Sequence, residues 1–492
     1  MTQRFPIIVR ESFESLPDEA SHIAARAPEE KAVFTPADHA GALDPNRAIV
    51  VGDRGTGKSF WSSVLVNKNI RQLVAQSYPR LKLDRVEGRL GFSDDEFNSE
   101  HPTRPVIAKI MTAGHSAEDL WRAVTLRRAP IPDKNTPGYD ASWLDWTQWT
   151  AASPERCNAA FRTLDEALIR NNAIYVLALD ALDRLAMDWE GIRRQMAGII
   201  RLALAVRALK AVRLKIFIRP DMAEDSGLWT VGDASKLRHS EVELTWKRRD
   251  LYGLLWTLLA NANRDDSARS FRDFCASAFG AKFNLVDNVW RPSNDLAEDE
   301  ISQQKVFHAL AGDFMGAGPK RGDTYKWVPN HLSDAAGFAA PRSFLLAMKR
   351  AAKETKSRET VLDKSGIESG ARHASKIRVE ELTEDYHWMT TALGDMASLV
   401  VPLTESDLAA RWQERGTLQK LKSEAEKRNN DSRYIPPGDV LAAPEDDAYE
   451  LLVEQLVRLK IFFRLADGRI NMPDLFRLQA NVRRKGGMRP RA

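Results

Sequence analysis

Residues 48–59 read Ala48-Ile49-Val50-Val51-Gly52-Asp53-Arg54-Gly55-Thr56-Gly57-Lys58-Ser59, and the fold class turns on them. Gly52, Gly57, Lys58 and Ser59 stand at the spacing G-x-x-x-x-G-K-[ST] of a phosphate-binding loop. The apolar run from Ala48 to Val51 precedes it as a buried strand, and the amphipathic stretch from Phe60 to Val66 follows as a helix, which is the context the motif requires. A polyphosphate takes many N–H donors at short range, and glycines at 52, 55 and 57 let the backbone curl round it while the helix adds the positive end of its dipole. The candidate phosphate contacts are Gly52, Asp53, Arg54, Gly55, Thr56, Gly57, Lys58, Ser59 and Phe60. Lys58 is expected to reach the β and γ phosphates and the Ser59 hydroxyl to fill one Mg²⁺ position. The competing reading is a glycine-rich turn that merely precedes a helix.

Outward from this loop, 492 residues are too many for one core and predict about three domains. A chain 43% hydrophobic and 28% charged reads as soluble and globular. No apolar run approaches a membrane span, the best being Ala173 to Leu182 with an aspartate inside it. The first residues carry no apolar stretch of the secretory kind, and Cys157 and Cys275 stand far apart, which excludes a disulfide framework and predicts a reducing, cytoplasmic setting without structural zinc. The net charge of +4 is local: residues 481–492 hold five basic residues and no acid, so the rest of the chain carries −1. Such a tail suits a phosphate backbone or a solvated end.

Four further strands are expected at Arg104 to Met111, Ala173 to Leu182, Leu214 to Ile218 and His239 to Trp246, with helical crossovers between them. An insertion at 113–172 contains Trp143, Trp146 and Trp149 on one helix face, either packed or offered as a stacking platform. The segment Phe34 to Asp38 reads as a loop that covers a nucleotide base or simply packs Phe34. From Lys247 the pattern is helical, and Pro341 opens a helix with Arg342 in its first turn. Lys353 to Lys376 reads as a linker or solvated helix. Helices at Glu405 to Lys427 and Asp446 to Lys460 precede a hairpin turning at Asp467-Gly468, with Arg464 and Arg469 flanking it, which suggests a winged helix.

Turnover needs a metal-orienting acid and a group to align water. The strand Ile174 to Leu179 runs into Asp180, the expected partner of Ser59 at Mg²⁺. Ala181 stands where a catalytic acid would follow; Asp183 is the nearest carboxylate, either polarising water or pairing with Arg184. Arg219 ends the next strand, to sense the γ phosphate or to pair with Asp221 or Asp180.

With these residues assembled, the chain resembles a bacterial P-loop ATPase of the AAA+ and STAND (KAP-like) group. The resemblance rests on Gly52 to Ser59, the run Asp180-Ala181-Leu182-Asp183-Arg184, Arg219, and Glu243-Leu244-Thr245-Trp246 leading into Asp250-Leu251. It implies an α/β P-loop NTPase core with a five-stranded parallel sheet in the order 5-1-4-3-2, a helical lid and a C-terminal winged-helix-like domain. The boundaries expected are an N-terminal extension packing on the core (1–46), the ATPase core (47–246), the lid (247–354), a linker or helix (355–400), the winged-helix-like unit (401–480) and a basic tail (481–492). The resemblance further implies ATP and Mg²⁺ as cofactors and Arg342 as a lid arginine touching the γ phosphate. The function implied is a slowly hydrolysing ATP switch contacting DNA through 401–492, in genome maintenance or phage defence; the alternative is a nucleotide-gated scaffold that self-associates or recruits a protein.

Overall fold

The computed structural model describes residues 5–17, 26–428, 432–438 and 440–484. The chain divides into two compact units, residues 20–245 and residues 1–19 with 246–492.

The first unit is built on β1 (Ile49–Val51), β2 (Val86–Phe92), β3 (Ile174–Leu179), β4 (Val212–Ile218) and β5 (Val242–Glu243). They form one parallel sheet in the order β2-β3-β4-β1-β5, the expected order read from the opposite edge. A parallel sheet is covered on both faces, so its central strands are largely apolar, with Lys215 in β4 a buried exception. Val50, Val176, Ala178 and Phe217 face Trp61, Val64 and Leu65 of the P-loop helix, Lys58–Val66. The alternate residues, Tyr175, Leu177, Leu179, Leu214 and Ile216, pack in a second core with the helices Ala117–Arg127 and Trp189–Ala205.

One expected strand is a helix. Arg104–Thr112 opens with proline in its first turn and buries Ile107 and Ile110 three residues apart, a helical and not an alternating spacing. The strand beside β3 is instead β2, whose burial alternates over its first residues. Its glycines disguise it and also make it possible. A Cβ on Gly88 would lie 1.9 Å from the Leu65 carbonyl oxygen, and one on Gly91 would lie 2.7 Å from the Leu177 side chain. The last strand is also shorter than expected, although Leu244 N–H still bonds the Val51 carbonyl at 2.7 Å.

Residues 113–172 are helical, at Ala117–Arg127, Trp143–Ala152 and Pro154–Arg170. Trp146 is buried and meets Trp149 edge-on, while the Arg127 guanidinium lies 4.0 Å over Trp143. The tryptophan face is therefore packed into the core cluster.

In the second unit the helices Arg248–Ala260, Asp265–Phe279, Glu300–Ala311, Thr324–Leu332 and Pro341–Glu354 are joined by a hairpin, Phe283–Val286 with Val289–Pro292. The amino-terminal helix Phe5–Glu14 belongs here: Arg10 Nε donates to the Val361 carbonyl (2.9 Å) and Lys349 to that of Leu16 (2.7 Å). Residues 1–46 are thus shared between the units, with 26–46 staying beside the sheet.

The stretch read as a linker or solvated helix contains a 22-residue helix, Lys364–Asp385, packed along Pro341–Glu354. Its small residues are the reason: a Cβ on Gly370 would lie 2.1 Å from the Ala347 carbonyl oxygen and one on Gly366 would lie 2.4 Å from that of Ala351. What reads as a solvated, glycine-containing stretch is a close helix contact.

Beyond it, the expected single helix from Glu405 is broken at Gly416 (φ 62°) into Glu405–Arg415 and Thr417–Lys427. Glu445–Arg458 then leads to the hairpin Phe463–Arg464 and Ile470–Asn471, and Leu403 exchanges backbone hydrogen bonds with Ile470. Arg483–Arg484 pairs in parallel with Val400–Val401, so the basic stretch begins as a strand; its remaining residues lie outside those described. Among the described residues no helix is long and apolar enough to cross a membrane.

Candidate nucleotide site

Gly52 N–H bonds the Ile218 carbonyl at 3.1 Å, which anchors the loop after β1 to the end of β4. The loop then turns through Gly55 (φ 83°) and Gly57 (φ 104°), left-handed conformations that glycine adopts without strain. Thr56 folds inward, its hydroxyl donating to the Asp53 carbonyl at 2.8 Å, and a Cβ on Gly52 would lie 2.6 Å from Thr56 Oγ1. The glycine spacing thus follows from close packing as well as from phosphate access.

Lys58 curls back over this loop. Its Nζ donates to the carbonyls of Gly52 (2.7 Å) and Asp53 (3.1 Å). Burial pushes the ammonium below its usual range, opposed by the nearby Asp180 carboxylate. Asp180 is 1% exposed, just past β3, with its N–H on the Phe92 carbonyl. Burial raises its pKa, while hydrogen bonds from the Ser59 hydroxyl and the Ala181 N–H and the charge of Lys58 favour the carboxylate. Lys58 and Ser59 of the loop and Asp180 past β3, far apart in sequence, converge.

Asp180 Oδ2 is buried without a hydrogen-bond partner. An orphaned carboxylate oxygen costs desolvation energy unless a ligand completes it. The Ser59 hydroxyl acts on the Asp180 carboxylate, and its oxygen has lone pairs to offer a cation. This donor set, one hydroxyl and one carboxylate oxygen, fits the Mg²⁺ of a nucleotide complex, which takes oxygen ligands and completes its shell with phosphate and water.

The neighbouring positions are engaged with one another. Arg219 donates to both oxygens of Asp221 (3.0 and 2.7 Å) and to Asp183 (3.2 Å), and Arg184 approaches Asp183 at 3.8 Å. Arg219 and Asp183 are thus ion-paired with one another and with Asp221 and Arg184. Ala181 has φ 54°, ψ 39°, a left-handed conformation that costs a side-chain-bearing residue about 1 kcal/mol. In the other unit, Arg342 pairs with Glu381 at 2.7 Å, and Arg378 stands 3.6 Å from the same carboxylate.

Asp94, at the end of β2, was not anticipated: its charge acts on Asp180. It lies after a strand that the sequence concealed. Nor was His39, which accepts a hydrogen bond from Trp61 in the P-loop helix; an isolated histidine 13 residues before the motif carries no pattern.

Sheet order, loop and the Lys58/Asp180 pair define the core of a P-loop NTPase fold. No family model and no curated protein matches the chain. Among solved structures it is similar to the ORC2 protein of Aeropyrum pernix in its ADPNP–ADP complexes, at 13% identity and a TM-score of 0.39 over 94% of each chain. The ADP form of that protein gives a TM-score of 0.32 at 13% identity, over 94% of this chain and 93% of that one. Cdc6p of Pyrobaculum aerophilum gives 0.28 at 13% identity over 96% of each chain. Similarity at this level transfers no activity, and function rests on the residues themselves.

Proposed function

We propose that the chain is an Mg²⁺-dependent ATP-binding switch of the AAA+ kind with slow hydrolysis. The observation that carries the reading is the orphaned Asp180 Oδ2 beside Ser59 and Lys58 at the mouth of a phosphate-binding loop. Lys58 would exchange its two carbonyl acceptors for phosphate oxygens, and Ser59 and Asp180 would hold Mg²⁺, which would supply positive charge against the phosphates. Slow turnover follows from Ala181, which offers no base, and from Asp183, whose carboxylate is engaged by Arg219. Arg219 would contact the γ phosphate only after leaving Asp221, and such a contact for Arg342 follows the family resemblance alone. A choice of ATP over GTP follows the family resemblance alone.

For the C-terminal unit a specific observation favours protein contact over DNA contact. Its helices followed by a paired hairpin support a winged-helix assignment, yet the helix before the hairpin exposes Glu445, Asp446, Asp447 and Glu450. Arg464 pairs with Glu405 and Glu454, and Arg469 with Asp467. A surface that binds phosphates presents uncompensated cations; this one presents carboxylates. DNA contact, in genome maintenance or phage defence, would then fall to Arg483, Arg484 and the residues after them.

The test is turnover and mass in solution, with and without MgATP and duplex DNA. Assembly with MgATP alone supports the scaffold form of the switch; DNA-stimulated turnover that weakens with salt supports the DNA form. Neither binding nor turnover overturns both.

A further inference from the structure

We infer that His39 is a positioning residue that ties the P-loop helix to the point where the chain leaves the sheet unit, so that nucleotide held by the loop is registered at Thr245. The inference rests on the nucleotide reading above and names how that site would be coupled outward.

Two hydrogen bonds run through one buried ring. Trp61 lies in the first turn of the P-loop helix, its N–H on the Gly57 carbonyl at 2.9 Å. An indole N–H can only donate, and this one meets His39 Nδ1 at 3.1 Å. The ring proton therefore resides on Nε2, which donates to the Thr245 carbonyl at 2.9 Å. His39 is 0% exposed, and its ring meets that of Trp61 edge-on with centroids 5.6 Å apart. Burial pushes the imidazole down to about 4, so it is neutral near pH 7 and the order of donor and acceptor is kept. Thr245 is the last residue of the sheet unit; Trp246 opens the other.

The geometry makes this a coupling and not merely packing. Gly57 and Lys58, which would close on phosphate, belong to the same turn as Trp61, so adjustment of that turn moves the indole. The ring passes the displacement to a backbone carbonyl two residues beyond β5, where the chain has no further ladder partner in the sheet. An apolar side chain could fill the volume but would break both bonds. His39 itself comes from the segment entering β1, which is held from its other side by the Tyr78 hydroxyl on the Pro36 carbonyl (2.5 Å).

The test uses the full chain and amide hydrogen exchange of residues 244–251, with and without a saturating non-hydrolysable MgATP analogue. In the parent, nucleotide should slow exchange there by about tenfold. His39→Phe should bind the analogue within about threefold of the parent and lose that slowing. His39→Gln, which retains an acceptor and a donor, should recover part of it. Trp61→Phe, which removes one N–H and keeps a ring, should repeat the loss, and serves if His39→Phe does not fold. Slowing of parental size in both phenylalanine variants overturns the inference and leaves nucleotide binding standing. A parent that binds no nucleotide removes both.

Discussion

Two lysines of the sheet unit show how the same side chain serves opposite ends. Lys215, within β4, is wholly buried and gives its three N–H bonds to the carbonyls of Gly41, Asp44 and Arg47 at 3.3, 2.8 and 2.6 Å. Burial lowers it to about 7. Lys58 is also lowered by burial, yet it is partly exposed, has two carbonyl acceptors for three donors, and faces Asp180. A saturated lysine pins the chain that leads into β1; an unsaturated one beside an orphaned carboxylate oxygen is a site awaiting charge. Satisfaction of donors, together with exposure, separates scaffold from site here.

The largest expected effect tests the scaffold side. Lys215→Ala removes three buried hydrogen bonds, to the carbonyls of Gly41, Asp44 and Arg47, and should cost about 3 to 5 kcal/mol, read by denaturant unfolding. Nucleotide affinity of the folded fraction should be close to that of the parent. Next, Lys58→Ala should weaken nucleotide binding by about 100-fold or more, near 3 kcal/mol, with little change in the unfolding midpoint. Asp180→Ala should remove the Mg²⁺-dependent part of binding and turnover. If the two lysine variants exchange phenotypes, the contrast between them is wrong.

A pH titration sharpens the same point at His39. Its folded value of about 4 lies below the 6.5 of an exposed imidazole, so the folded state binds fewer protons across that window. Stability from this group is therefore complete above pH 6.5 and falls by about 1.4 kcal/mol per unit as pH drops toward 4. His39→Gln should flatten that slope in thermal melts between pH 6.5 and 5. The smallest effect belongs to Asp183. Because it is engaged by Arg219, Asp183→Ala should change turnover by no more than about threefold, well short of the loss at Asp180.

Much of this was legible in the chain because local chemistry and tertiary role coincide. The P-loop needs glycines for its turns and for packing, and an apolar run ending in Asp180 can hardly be other than a buried strand. The failures have a common cause. Val86–Phe92 carries two glycines, a glutamate and an arginine and lies outside the expected strands, and Lys364–Asp385 carries glycines among charges and overlaps the stretch read as a linker or solvated helix. In each the missing side chains are where another backbone approaches, which a sequence records only as absence. Arg104–Thr112 misled in the opposite sense, since a short apolar run fits a strand or a helix until proline and a spacing of three are weighed. The partners of Arg219 and Arg342, Asp183 and Glu381, lie 36 and 39 residues away and became visible only in three dimensions.

The central claim is that Lys58, Ser59 and Asp180 grip one Mg²⁺-bound nucleotide. The most direct measurement is a calorimetric titration of the full chain with ATP, in Mg²⁺ and in EDTA, beside Lys58→Ala and Asp180→Ala. Expected are saturable binding to the parent that EDTA weakens, loss of binding in Lys58→Ala, and an Asp180→Ala isotherm indifferent to Mg²⁺. Binding of equal strength in the parent and Lys58→Ala, unchanged by EDTA, would contradict that claim.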